Sequence, residues 1–480
     1  MGRRRSAGRR NRLLALSLAA VAISCQTLSV SSTKISSEDG TLAVIGATLI
    51  DGTGAPPLQN AVIIVQGDRI VCASSPKTCT VPAGARTLDA RGRWIIPGLI
   101  DTHVHWFVWF SGDRTDTLEA AARGARTYLA NGITTIVDVA GQRNQDERIL
   151  RVRALVEASG FPAPRILVSG RVDSLAVNRS GARDAGELTR RLLALGVDGI
   201  KIHRGLSAAD LRAVVTEARK AGRPVYGHTY EQRETGYHDY TREAVEAGVN
   251  GVFHVLGMAP VHADREPAAP PVSSSEWQTW WLFGATRWLY SDDATMNALI
   301  ERMVERGAWL QPTLVTEELT ANIDWYRDSP NWNYSPLPRE DYATEKAGWP
   351  VFRGQDLARY RAAYARMKQF VRRFHERGGV LLAGTDGVPI HGFGLQEELR
   401  LLVEAGIPPM AALQAATRNA AGAFHWEDRV GTIERGKFAD LVILNGDPLR
   451  DIGNTREIWR VVQGGVVYER EKLLNPSLNR

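Results

Sequence analysis

Two histidines, His103 and His105, stand two residues apart at the end of the apolar run Trp94-Ile95-Ile96-Pro97-Gly98-Leu99-Ile100. In a strand, side chains i and i+2 share a face, so this pair can grip one metal ion together. Four more residues of ligand or proton-transfer type follow similar apolar runs. Lys201 follows Gly199-Ile200, His228 follows Val225-Tyr226-Gly227, His254 follows Val252-Phe253, and Asp386 follows Val380-Leu381-Leu382-Ala383 and a Gly-Thr step. Polar and charged groups at buried strand ends are costly without a partner. Lys201 has two readings. A desolvated lysine can lose its proton, and the neutral amine can add carbon dioxide to become an anionic carbamate; alternatively it pairs with a neighbouring carboxylate such as Asp198.

Side chains of this kind need elements that hold them. Lys201, His228 and His254 are separated by 27 and 26 residues, the length of one strand, one helix and two loops. Chemical side chains on the ends of successive parallel strands are how a (β/α)8 TIM barrel builds an active site. The fold class expected is therefore α/β, with strands over 94–103, 133–139, 165–171, 199–203, 224–228, 251–256, 308–315 and 380–385. Helical runs lie between most of them, among them 210–221 and 357–377. Residues 41–97 and 430–470 alternate apolar and polar positions around Gly, Pro and Asp turns, which predicts one small β-sandwich built from both ends. The barrel then occupies 98–429. Residues 257–300 and 316–356 are long, aromatic-rich loops after the sixth and seventh strands; they form either a lid or apolar pocket wall at the site, or helices packed on the barrel rim.

These residues resemble the amidohydrolase superfamily. The likeness covers nearly all of the chain after the first two dozen residues. It is carried by Pro97-Gly98-Leu99-Ile100-Asp101-Thr102-His103-Val104-His105 and by the run from Gly431-Thr432-Ile433-Glu434-Arg435-Gly436-Lys437 to Leu444. Ile200-Lys201-Ile202-His203-Arg204-Gly205-Leu206-Ser207, followed by Gly227-His228, is similar to a bacterial branch near imidazolonepropionase and the metal-dependent Xaa-Pro dipeptidases. The resemblance implies two divalent metal ions, with zinc the expected metal. His103 and His105 would hold the first and His228 and His254 the second; carbamylated Lys201 would bridge them. Asp386 would bind the first metal and handle protons.

The expected chemistry is hydrolysis of an amide or related carbon–nitrogen bond in a small molecule with an apolar or aromatic part. A dipeptidase of the Xaa-Pro type and a lactonase or esterase share the same machinery. A deaminase fits less well, because those relatives typically use one metal and lack the bridging lysine. A reading of another class is a metal-binding surface lipoprotein without activity. Candidate substrate contacts are His203, Arg204, Tyr230, Trp106 and His391. His203 shares the face of Lys201, where it either touches substrate or is a satisfied histidine at the barrel mouth.

The chain opens with Arg3, Arg4, Arg5, Arg9, Arg10 and Arg12 and an apolar run over 13–23, too short to span a bilayer as a mature helix. Ser24-Cys25 resembles the end of a bacterial lipoprotein signal, with Cys25 as the lipidated residue, although Ala22 stands where Leu is usual. Residues 1–25 are thus expected to be a signal peptide and 26–40 a Ser/Thr-rich tether. Removing the leader's six arginines takes Lys+Arg from 59 to 53, equal to the 53 Asp+Glu. A near-neutral mature chain argues against a nucleic-acid partner. Export from a bacterial cytoplasm is expected, to the periplasm or to a membrane through the lipid anchor alone. Cys72 and Cys79 then form either a disulfide or two free thiols. Oligomeric state is left open, with a homo-oligomer among the options.

Overall fold

A computed structural model describes residues 40–105, 118–139, 146–233, 236–270, 277–323, 350–387 and 392–475. The strands, in chain order, are β1 Thr41–Leu49, β2 Leu58–Gln66, β3 Arg69–Ser74, β4 Arg86–Asp89, β5 Trp94–Pro97, β6 Leu99–Val104, β7 Ile133–Asp138, β8 Arg165–Val172, β9 Gly199–Ile202, β10 Val225–Gly227, β11 Tyr230–Arg233, β12 Gly236–Asp239, β13 Gly251–Phe253, β14 Trp309–Gln311, β15 Leu441–Leu444, β16 Ile458–Gln463 and β17 Val466–Glu469.

Strands β6, β7, β8, β9, β10, β13 and β14 form one parallel sheet in sequence order. Its two edges meet through residues 380–385. On one side Leu310 donates to the Val380 carbonyl at 3.0 Å and Leu382 to Leu310 at 2.9 Å. On the other, Thr102 donates to Ala383 at 3.1 Å and Thr385 to His103 at 3.3 Å. The sheet therefore curls into a TIM-barrel-like ring. The expected strand over 380–385 contributes one ladder bridge, Leu310–Leu381, rather than a full strand. The expected strand over 308–315 is also short. Pro312 has no N–H to donate, Thr313 has φ +49, and the helix Leu314–Ala321 follows at once. At the sixth strand, His254 takes φ +60 and ends β13 at Phe253, before a 3-10 turn over Val255–Gly257.

The barrel interior follows the period of 2. Leu167, Tyr226, Phe253, Trp309 and Leu382 pack with Val137 in a buried apolar cluster. From Leu167, Tyr226 and Trp309 the next residues along the same faces, toward the strands' C-terminal ends, are the polar Ser169, His228 and Gln311. Glycine makes room at one point: a Cβ on Gly384 would come within 1.9 Å of Gln311 Nε2. The helix Ala208–Lys220 lies close to its expected place and is started by a capping box in which Ser207 accepts from Asp210 N and Asp210 from Ser207 N.

Both chain ends do come together, in one connected sheet of eight strands. The cause is β1, which pairs with β2 along one edge and with β4 and then β5 along the other. This unit has its own apolar core, including Val44, Ile63, Ile95 and Ile443. It also sets the register of β6, since β15 pairs with β5 and Gly98 donates to the Asp440 carbonyl at 2.9 Å. Cys72 and Cys79 are joined by a disulfide, with Cα atoms 5.9 Å apart.

Of the aromatic segment 257–300, Trp280, Phe283 and Trp288 are buried. Trp288 donates to the Val255 and Leu256 carbonyls and its ring meets Phe370 at 5.2 Å. Trp288 is thus packed against the 3-10 turn after β13 and the helix Gly354–Glu376. Cys25, Trp106, His391 and, from the second segment, Trp325, Tyr326, Trp332, Tyr334, Tyr342 and Trp349 lie outside the described residues.

Candidate metal centre

His103, His105 and Asp386 converge at the mouth of the barrel. Asp386 Oδ1 lies 3.1 Å from Nε2 of both histidines, and the two Nε2 atoms are 3.4 Å apart. The ligand atoms of these three residues fall within 4.8 Å of one another. The hydrogen bonds behind His103 fix which nitrogen carries its proton. Thr102 uses its one hydroxyl proton on the Ala383 carbonyl at 2.8 Å, so it must accept from Gln311 Nε2 at 2.6 Å. Gln311 therefore turns its oxygen to His103 Nδ1 at 2.9 Å and accepts a proton from it. The Nε2 lone pair of His103 then faces a carboxylate oxygen and another imidazole nitrogen. Electron pairs gathered at this spacing are the arrangement a cation completes.

His254 is set in the same way. Its Nδ1 lies 2.7 Å from Thr313 Oγ1, whose own proton goes to the Pro312 carbonyl at 2.7 Å. Thr313 must accept, so His254 also keeps its proton on Nδ1 and its lone pair on Nε2. The His254 ring lies 4.8 Å from that of His103 and 4.5 Å from that of His228. His228 Nε2 is buried with no hydrogen-bond partner among the described residues. An orphaned buried nitrogen costs about 1–3 kcal/mol, a penalty that a bound cation would remove. The donor set thus fits divalent metal on both sides of the mouth.

Lys201 is 2% exposed and lies under this array, its Nζ 5.7 Å from the centre of the Phe253 ring. The alternative pairing with Asp198 does not occur. Asp198 stands at the opposite end of β9, where it accepts from Arg153 at 2.8 Å and Val168 N at 2.9 Å. Burial pushes the Lys201 ammonium down to about 7; Asp386 opposes this, Arg171 adds to it and Asp138 opposes it. Burial, followed by the charge of Lys201, brings His103 down to about 4 and lowers His105 and His228 as well. These are neutral imidazoles, the form that binds metal.

Backbone shape serves the same ends. His254, Thr313 and Asp386 take φ of 60, 49 and 57. Such conformations cost on the order of 1–3 kcal/mol each and persist where the surroundings over-determine them. Asp101 is one such restraint: its carboxylate accepts from Thr385 Oγ1 at 2.7 Å, Thr385 N at 3.1 Å and His103 N at 3.2 Å. It ties the two loops that carry the first cluster. Burial raises it to about 7 against those hydrogen bonds.

The candidate substrate contacts separate. The ring of His203 lies 4.5 Å from that of His228, and Tyr230 stacks on His228 at 5.7 Å. A Cβ on Gly257 would come within 2.0 Å of the Tyr230 ring, so glycine lets that ring sit there. Arg204 is exposed and outside the cluster, because it is out of phase with Lys201 and His203. Four groups at the mouth were missed: Arg171, Gln311, Thr313 and Glu317. Arg171 pairs in register with Lys201; its place in the 167-169-171 alternation could have revealed it. Glu317 is buried and pushed up to about 7 by that burial, against hydrogen bonds from Tyr360 and Thr316. No sequence period marks it, because it enters from a helix.

A model of the Amidohydrolase family matches residues 94–467. The chain is similar to imidazolonepropionase of Streptomyces griseus subsp. griseus, 37% identical over 112 residues that cover 23% of this chain and 27% of that protein. It spans only 22% of the Paenarthrobacter aurescens imidazolonepropionase, at 36% identity and over 20% of its own length. Imidazolonepropionase of Symbiobacterium thermophilum is 26% identical over 442 residues, 84% of this chain and 91% of that one. The fold is shared with a solved Xaa-Pro dipeptidase with bound methionine in the active site, at TM-score 0.63 and 20% identity over 90% of this chain and all of that one. It is shared also with molinate hydrolase, at TM-score 0.62 and 20% identity over 90% and 96%. With its family match running from β5 into β17, the chain belongs to the amidohydrolase family.

Proposed function

We propose that this chain is a metal-dependent hydrolase that cleaves an amide or related carbon–nitrogen bond in a small molecule. The observation that carries this is the convergence of the His103 and His254 Nε2 lone pairs and the unpartnered His228 Nε2, with Asp386, above a buried lysine at the barrel mouth. His103, His105 and Asp386 would hold one divalent ion, and His228 and His254 a second. Carbamylated Lys201 would lie between them. When bound, such ions lower the pKa of water toward neutral and polarise a carbonyl. Asp386 takes the proton from the attacking water and returns it to the leaving nitrogen. Tyr230, whose phenol burial raises well above its usual value, keeps its O–H and can donate to the carbonyl oxygen as charge develops.

A dipeptide or N-acyl amino acid is the favoured subclass, for one reason. Arg171 supplies a fixed cation at the mouth, clamped by Asp173 at 2.7 Å, where a substrate carboxylate could be read. The relatives named imidazolonepropionase and Xaa-Pro dipeptidase agree with carbon–nitrogen cleavage. In this proposal the chain is also exported, with Cys25 as a lipid anchor. The Cys72–Cys79 disulfide, a bond that persists in oxidising compartments, supports export. Cys25→Ser would then leave the membrane fraction.

The test is a screen of zinc-loaded protein against dipeptides, N-acyl amino acids, cyclic amides, lactones and aryl amides. Metal-dependent turnover of an amide is expected. Turnover confined to lactones would move the assignment to an esterase. Tight metal without turnover on the whole panel would favour a binding protein.

A further inference from the structure

His203 has the opposite set of neighbours from His103 and His254. Its Nδ1 lies 3.1 Å from Arg171 Nη2. A guanidinium has donors only, so His203 Nδ1 must accept and cannot carry the proton. In a neutral imidazole the proton is then on Nε2, on the other side of the ring. Arg171 is itself held, with Nε 2.7 Å and Nη2 2.5 Å from Asp173 Oδ2. Asp173 caps the helix Ser174–Ser180 by accepting from Ala176 N at 2.6 Å. The same carboxylate oxygen lies 3.9 Å from His203 Nδ1, too far for a hydrogen bond, with the guanidinium bonded to both.

The mouth thus sorts its histidines. Gln311 and Thr313 keep the protons of His103 and His254 on Nδ1 and leave Nε2 as an electron pair. We propose that Arg171 is a positioning residue that locks His203 in the opposite tautomer, so that His203 offers an Nε2–H donor to a carbonyl or carboxylate oxygen of the substrate. Its use on substrate rests on the hydrolase proposal; the tautomer does not. The backbone supports a fixed ring, since Tyr240 OH donates to the carbonyls of both His203 and His228, at 2.6 and 2.9 Å.

The experiment uses zinc-loaded full chain labelled with 15N-histidine. The His203 signals are identified by their loss in His203→Asn. In the parent, His203 should show a protonated Nε2 and an unprotonated Nδ1, while His103 and His254 show the reverse. In Arg171→Met the Asp173 carboxylate is left as the nearest partner of Nδ1, so the proton should move there in part or wholly. Arg171→Lys should keep the parent pattern, because it still donates. On any substrate that is turned over, Arg171→Met should lower kcat by roughly 10²-fold, as loss of a transition-state donor does, with unaltered zinc content; KM should change less on substrates without a free carboxylate and rise on those that carry one. A parent His203 protonated on Nδ1 would overturn the proposal, and so would an unchanged tautomer in Arg171→Met. The parent spectrum decides even where that variant does not fold. Absence of turnover on every substrate would remove the hydrolase proposal and leave the tautomer result standing.

Discussion

The two halves of the barrel mouth are held in different ways. On the β6 side the three ligand atoms of His103, His105 and Asp386 already meet, and protein hydrogen bonds brace them from behind through Gln311, Asp101 and Thr385. On the β9 and β10 side, His228 Nε2 is buried without a partner, and Lys201 is buried with no ion pair among the described residues. The first half is nearly complete as protein. The second is assembled from groups whose burial is unfavourable as they stand, and an external cation with an anionic bridge would satisfy both. In the proposed reading, binding there would stabilise the folded chain and create the catalytic array at once.

Five substitutions, in four tests, probe that contrast. The largest effect is expected on the first half. Asp386→Asn keeps an oxygen ligand and cannot take a proton, so turnover should fall by about 10² to 10⁴ while zinc is retained; near-normal turnover with metal bound would leave Asp386 only a ligand. Next are the residues that set the tautomers. Gln311→Leu should weaken the first ion and Thr313→Val the second, each by roughly 10–100-fold in affinity, measured by chelator competition. If both variants weakened the same ion, the two halves would not be separate sites.

Third is Asp101→Ala, which strands the Thr385 and His103 N–H groups in a buried place. Each orphan costs about 1–3 kcal/mol, so the urea midpoint should drop even in metal-free protein. The smallest effect concerns Glu398. Burial raises its carboxyl from 4.5 to about 8, against hydrogen bonds from Val315 and Leu314 N. Because the folded value lies above the unfolded one, stability is fully present below about pH 4.5 and is lost as pH rises through about 8. Glu398→Gln should therefore match the parent at pH 5 and exceed it at pH 9. Parallel stability curves for the two proteins would contradict this.

What was legible in the sequence follows from period and polarity. The barrel, the paired terminal segments and the six proposed ligands could all be read from polar residues at the ends of apolar runs. Arg204 was misjudged and Arg171 overlooked for one reason. At the end of β9 the inward positions are Lys201 and, one residue past the strand, His203, so the next residue faces out, whereas Arg171 is in register with Lys201. Gln311 and Thr313, which set the tautomers of His103 and His254, were invisible because they come from elements distant in sequence. Gln311 and His103 are 208 residues apart. That the terminal strands connect through β1, which carries strands on both edges, is not something alternation in a single strand reveals. The short seventh strand was overextended past Pro312.

The most direct test is the metal content of zinc- and bicarbonate-loaded protein, in the parent and in His228→Ala and Lys201→Ala. Two ions sharing an anionic bridge predict about two zinc per chain in the parent, close to one in His228→Ala, and loss of most of the metal in Lys201→Ala. A parent that binds one ion per chain, with Lys201→Ala binding it equally well, would contradict the account.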